Sequence, residues 1–182
     1  MRRTFIALGV VTALALSVPA ATAGSKGTNR PIKGSTSGST TAACDLSGTC
    51  TSDSAGTHNT SHLGKGAYAI DSVQTWTDPN PETNGRDCAE TVDGTVTLWA
   101  ANGDKLVGNI DDTGNPMAVC EVTFGTEYAS AFTVVIDGSA STGKFAGASG
   151  SYWLTGTSKD ADFPTTPGEY TDSGTLSGKV SY

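Results

Sequence analysis

The stretch Ser141–Gly156, STGKFAGASGSYWLTG, decides the fold. Its glycines at 143, 147, 150 and 156 suit a loop, while Phe145, Tyr152, Trp153 and Leu154 suit a buried strand. Two readings compete. In the first, a turn at Ser141–Gly143 leads into a sharply coiled strand, and the glycines mark a bulge, a corner or the close approach of another backbone. In the second, the segment is a glycine-rich loop. If it is a strand, the adjacent Tyr152 and Trp153 face opposite sides, so at most one reaches the interior.

The flanking sequence favours strands. Helical periodicity is hard to find, whereas alternation of two recurs. GAYAIDSVQTW (66–76) puts Tyr68, Ile70 and Trp76 on one face, and TVDGTVTLW (91–99) puts Val92, Val96 and Leu98 together. Asn102-Gly103 marks a tight hairpin before KLVGNI (105–110). MAVCEVTF (117–124) and SAFTVVIDG (130–138) alternate again, the latter with Phe132, Val134 and Ile136 on one side, and GTLSGKVSY (174–182) closes the chain. Threonine and valine suit a pleated surface. Some seven or eight strands with short turns predict an all-β sandwich or barrel, and turns too short for crossovers predict an up-and-down meander.

The N-terminal segment reads differently. Residues 1–23 carry Arg2 and Arg3, an apolar run from Phe5 to Val18 and a small-residue site at Ala21-Thr22-Ala23, the pattern of a signal peptide. Ordinary secretion is expected rather than twin-arginine export. Residues 24–56 are rich in Gly, Ser and Thr and are expected to be a flexible arm, interrupted by a small disulfide loop. The barrel itself is expected over 57–182.

Four cysteines in an exported chain allow three disulfide connectivities. Pairing near neighbours gives Cys44–Cys50 and Cys88–Cys120, the second closing about thirty residues for roughly 3–4 kcal/mol. No C-x-x-C spacing points to a metal. The formal charge of −7, with no basic stripe, argues against nucleic acid or an anionic membrane and favours a soluble monomer. No phosphate-cradling loop or G-x-S-x-G elbow is present, and no cofactor is implied.

Four pieces of the sequence carry a resemblance. STGKFAGASGSYWLTG is similar to the "GTGRFAGATGSF…G" signature of bacterial allene oxide cyclase-like barrels, kin in fold to plant allene oxide cyclases, dirigent proteins and the wider calycin-like group. His62-Leu63-Gly64-Lys65 resembles the "HLGR" that opens their first strand. Ala100–Leu106 resembles their "AANGDxL" hairpin, and Gly174–Tyr182 their closing "GTLxGxISY". The resemblance covers about Thr57 to Tyr182 and implies an eight-stranded antiparallel barrel. It implies no single activity, because fold does not settle function.

Candidate residues follow. Glu121 lies among apolar neighbours; pointing inward, it would be a candidate general acid or base. Alternation places it opposite Val122 and Phe124, so the solvent face is expected. Tyr68, Trp76, Trp99, Phe132 and Tyr152 are expected to meet inside, either filling the barrel or lining a site for one small ligand. His58 and His62 lack an evident third metal ligand, and His62 is expected to make a structural hydrogen bond at the barrel's end. Asp111–Asn115 lacks the final glutamate of a calcium loop and reads as an acidic turn. Asn59-Thr60-Ser61 is a formal glycosylation acceptor.

These features predict a secreted, non-catalytic barrel that binds a small apolar ligand or a surface partner. One alternative is a cyclase-like or dirigent-like enzyme that steers an apolar substrate by confinement. A second is a secreted enzyme inhibitor. A cavity with an ionisable or hydroxyl group projecting into it favours the enzyme; a solidly packed interior excludes it.

Overall fold

A computed structural model describes residues 27–76, 88–89, 91–111, 119–123, 126–160 and 168–182. It contains nine strands: β1 (Asn29–Cys44), β2 (Thr49–Thr60), β3 (Gly64–Thr75), β4 (Thr91–Trp99), β5 (Lys105–Asp111), β6 (Val119–Thr123), β7 (Glu127–Ile136), β8 (Ser149–Asp160) and β9 (Glu169–Ser181). No α-helix occurs among the described residues. Strands neighbouring in sequence pair antiparallel, except that β5 and β6 both pair with β7, and β9 returns to β1. The chain is therefore an all-β, closed up-and-down barrel.

Nine strands make eight staves because β5 and β6 share one edge of β7. β5 pairs Gly108–Asp111 against Ile136–Thr133, and β6 pairs Val119–Thr123 against Ser130–Glu127. They form one interrupted stave. The closing GTLSGKVSY segment lies in β9, bonded on one side to β8 and on the other to β1, which seals the sheet.

The deciding stretch contains both a turn and a strand. The turn runs further than expected: Gly143–Phe145 forms a single 3-10 turn, and β8 begins only at Ser149. Gly147 has φ 76° and Gly150 φ 120°, values that an L side chain rarely adopts. The excursion folds back on β5, where Thr142 N–H donates to the Lys105 carbonyl (2.9 Å) and Val107 N–H donates to Ser141 Oγ (3.0 Å). It carries Phe145 into full burial, 4.9 Å from the Tyr182 ring. Tyr152 then points inward and Trp153 outward, at 39% exposure.

Phe145 plugs one end of the barrel. Ile32, Leu98, Leu106, Tyr152 and Val180 pack there with almost no exposure. Buried His58 joins them, donating from Nε2 to the Trp99 carbonyl (3.0 Å) and accepting at Nδ1 from the Thr60 hydroxyl (3.3 Å). That arrangement makes the ring the neutral Nε2–H tautomer. Burial holds its pKa below the ordinary histidine value, partly opposed by the bond to Trp99. His62 bonds the Pro31 carbonyl at the same end (3.0 Å), as the sequence predicts.

The expected arm is corrected. Residues from Asn29 onward form β1 and β2, two long staves, so the barrel begins at 29 rather than 57. His62–Lys65 accordingly opens the third strand rather than the first. The low-hydrophobicity pattern misleads because its inward positions are small or hydroxylic: Gly34, Thr36, Gly38 and Thr40 face the interior while Lys33, Ser35, Ser37 and Ser39 face water. Strand pairing on both sides outweighs weak local preference. The signal-peptide segment 1–23 lies outside the described residues, as do most of the acidic turn 111–115 and Phe124. Cys44–Cys50 and Cys88–Cys120 are both disulfide-bonded.

Candidate functional site

The half of the barrel opposite Phe145 is hollow. A cavity of about 500 Å³ runs inside it and reaches the surface at the β1–β2 turn, where Leu46 is fully exposed. Its wall has two characters. Inward positions of β1, β2, β3, β8 and β9 contribute hydroxyls and a carboxylate: Thr36, Thr40, Ser52, Ser54, Ser72, Ser158 and Asp172. The remaining wall is largely apolar and aromatic, with Ile70, Trp76, Val92, Val119, Tyr128 and Phe132.

The polar wall is wired internally. Ser52 and Ser72 hydroxyls bond each other at 2.7 Å, and the Gln74 amide donates to Ser52 (3.1 Å). Thr40 bonds both Ser54 and one carboxylate oxygen of Asp172, Oδ2. The other oxygen, Oδ1, is buried and has no hydrogen-bond partner among the described residues. Burial raises the Asp172 pKa above the ordinary carboxylate value, with Thr40 and Ser158 opposing.

Tyr68 stands beside this group. Its hydroxyl occupies the space above Gly38, where an added Cβ would lie 2.6 Å from it and 2.1 Å from the Ala55 carbonyl. Only glycine fits that position. The Tyr68 phenol is pushed up to about 12, first by burial and then by the charge of Asp172.

Three further rings cluster at the rim. Trp76 and Tyr128 meet at 6.1 Å and 75°, and Tyr128 and Tyr170 at 5.5 Å and 88°, both edge to face. The Tyr128 hydroxyl donates to Glu121 Oε1 at 3.4 Å. Burial raises the Tyr128 and Tyr170 phenols, and Glu121 adds to both shifts. The Trp76 indole N–H is buried without an acceptor among the described residues.

The expected site residues divide. Tyr68, Trp76 and Phe132 line the cavity. Trp99 does not: it follows inward Leu98, so the pleat turns it away, and its backbone carbonyl serves His58. Tyr152 is inward but belongs to the packed half, where its hydroxyl is buried without a partner. Glu121 is the opposite correction. It lines the cavity, while Val122 is 46% exposed. Alternation is right about their opposition, but the apolar member of the pair faces out.

Asp172, Thr40, Tyr128 and Tyr170 went unnoticed in the sequence. A signal exists for them: counting back by twos from Leu176 reaches Gly174, Asp172 and Tyr170, counting back from Phe132 reaches Tyr128, and counting forward from Ile32 reaches Thr40. No protein-family model, curated protein or solved structure matches the chain.

Proposed function

We propose that the protein is a secreted, non-catalytic barrel that takes a small amphipathic molecule into its hollow half. One observation carries this: a cavity of about 500 Å³, within the range of small-molecule sites, inside a barrel otherwise packed to its closed end. The wall changes the ligand class expected from the sequence. A wholly apolar guest would leave Asp172 Oδ1, which has no partner among the described residues, desolvated and unsatisfied, which is costly. A guest with one polar and one apolar side satisfies both walls.

Secretion is supported by the apolar leader pattern and by two disulfides, which persist in oxidising compartments. No helix among the described residues is long and apolar enough to cross a membrane. Outward positions of β1 and β2, such as Lys33, Ser35, Asp53 and Asn59, are polar rather than a lipid-facing apolar band. Kinship with allene oxide cyclase-like and dirigent-like barrels is part of the same reading, supported by the closed antiparallel meander and by the quoted motifs falling at its turns and closing strand.

The test is native mass spectrometry of the protein purified from its own medium, before and after cavity filling by Ser72→Leu with Ser130→Leu. A retained small molecule that the filled variant loses is the expected result. A molecule retained equally by both proteins would place binding elsewhere.

A second reading is enzymatic. It is favoured by Asp172, whose carboxyl burial raises above the ordinary carboxylate value, facing a cavity that also holds the Tyr68 phenol. Such groups suit acid–base steering of a confined substrate. Recovery of a chemically altered ligand after incubation, with loss of conversion in Asp172→Asn, distinguishes this reading from simple binding.

A further inference from the structure

We infer that the hollow half selects a small organic cation, a protonated amine on an apolar body, over neutral or anionic molecules of the same shape. This rests on the ligand-binding reading above and specifies the class of ligand.

The first support is charge. Asp172 and Glu121 border the cavity, and no lysine, arginine or histidine does so among the described lining residues. A carboxylate withdrawn from water needs a compensating charge or donors. Asp172 has one oxygen held by Thr40 and the other buried without a partner among the described residues. An ammonium group supplies both a donor and the missing charge. Asp45, the third acid of the wall, is already engaged: its Oδ1 accepts from Ser47 N–H at 2.8 Å and Thr49 N–H at 3.0 Å.

The second support is the rings. In an edge-to-face contact the ring presenting its edge keeps its own faces free. Trp76, Tyr128 and Tyr170, set nearly perpendicular in this way, line the cavity. Aromatic faces attract cations and do not attract anions. The third support is stoichiometric. An ammonium carries three N–H donors, and the hydroxyls of Thr36 and Ser158 on the same cavity wall offer acceptors in addition to the carboxylate.

The experiment is isothermal titration calorimetry on the disulfide-intact chain with three matched probes: 2-phenylethylamine, 2-phenylethanol and 3-phenylpropionate. At pH 7.5 the amine is expected to bind about tenfold or more tighter than the alcohol, and the carboxylate weakest of all. Asp172→Asn is expected to remove most of that preference, read as the ratio of amine to alcohol affinity within the variant. Glu121→Gln, nearer the rim, provides the same readout if Asp172→Asn does not fold. Equal affinity for amine and alcohol overturns the cation inference and leaves the ligand-binding reading intact. Binding of none of the three by folded protein overturns both.

Discussion

At the plugged end of the barrel, Ile32, Leu106, Phe145 and Val180 are wholly buried; at the other end Thr40, Ser54, Ser130 and Asp172 turn inward. The backbone is continuous between the two, and β1, β8 and β9 run through both halves. The difference lies only in what occupies each inward position. One half is held by apolar packing, which needs no covalent help. The other gives up that packing for a cavity, and both disulfides sit there: Cys44–Cys50 closes the β1–β2 hairpin, and Cys120 of Cys88–Cys120 lies in β6 beside the cavity residues Val119 and Glu121. Cross-links and core thus support different ends of one sheet.

The largest expected effect comes from removing the plug. Phe145→Ala should lower the unfolding free energy by roughly 3–5 kcal/mol in urea denaturation, because it opens a void where packing is densest. A cost below about 1 kcal/mol would show that the closed end is not packed as described. Next is the hollow end's covalent support. Breaking Cys88–Cys120, which spans 32 residues, should cost roughly 3–4 kcal/mol on the chain-entropy model, against about 2 kcal/mol for the six-residue Cys44–Cys50. Amide exchange should rise first at the cavity rim and last around Ile32 and Leu106. Uniform acceleration would erase the distinction between the halves.

Filling the cavity sharpens the comparison in the other direction. Ser130→Leu should raise stability by about 1 kcal/mol while reducing ligand uptake, since it adds apolar burial where none exists. Unchanged uptake would move the site elsewhere.

Acid should separate the halves by sign. His58 has a depressed pKa, so its contribution is full above the ordinary histidine value of 6.5 and is lost as pH falls through its folded value. Asp172 has a raised pKa, so its contribution is full below the ordinary carboxylate value of 3.8 and is lost as pH rises through its folded value. Thermal melts across pH 4–8 should therefore show that His58→Gln flattens the acid-side loss. Asp172→Asn should instead remove a loss on the rising side, leaving the variant at least as stable as the parent at neutral pH. The same sign for both variants would contradict the burial assigned to one of them.

Much of this architecture is legible in the residues. The alternation of Phe132, Val134 and Ile136, the Asn102-Gly103 turn and the closing Gly174–Tyr182 strand all lie where the pattern places them. What misled was the assumption that an inward face must be apolar. Much of β1 and β2 faces a cavity rather than a core, so their Gly, Ser and Thr resemble linker. Glu121 reads as solvent-facing for the same reason, with Val122 taking the interior, whereas Glu121 lines the cavity and Val122 is exposed. Trp99 and Tyr152 show the complementary difficulty: an aromatic's presence in a strand reveals neither its face nor which half of the barrel it enters.

The three tryptophans offer the most direct test, since each carries one indole N–H and only Trp76 borders the cavity. A ¹H–¹⁵N correlation spectrum titrated with 2-phenylethylamine should move the Trp76 indole signal and leave those of Trp99 and Trp153 in place. Movement of Trp99 or Trp153 with Trp76 unchanged would contradict a barrel that is plugged at one end and receptive at the other.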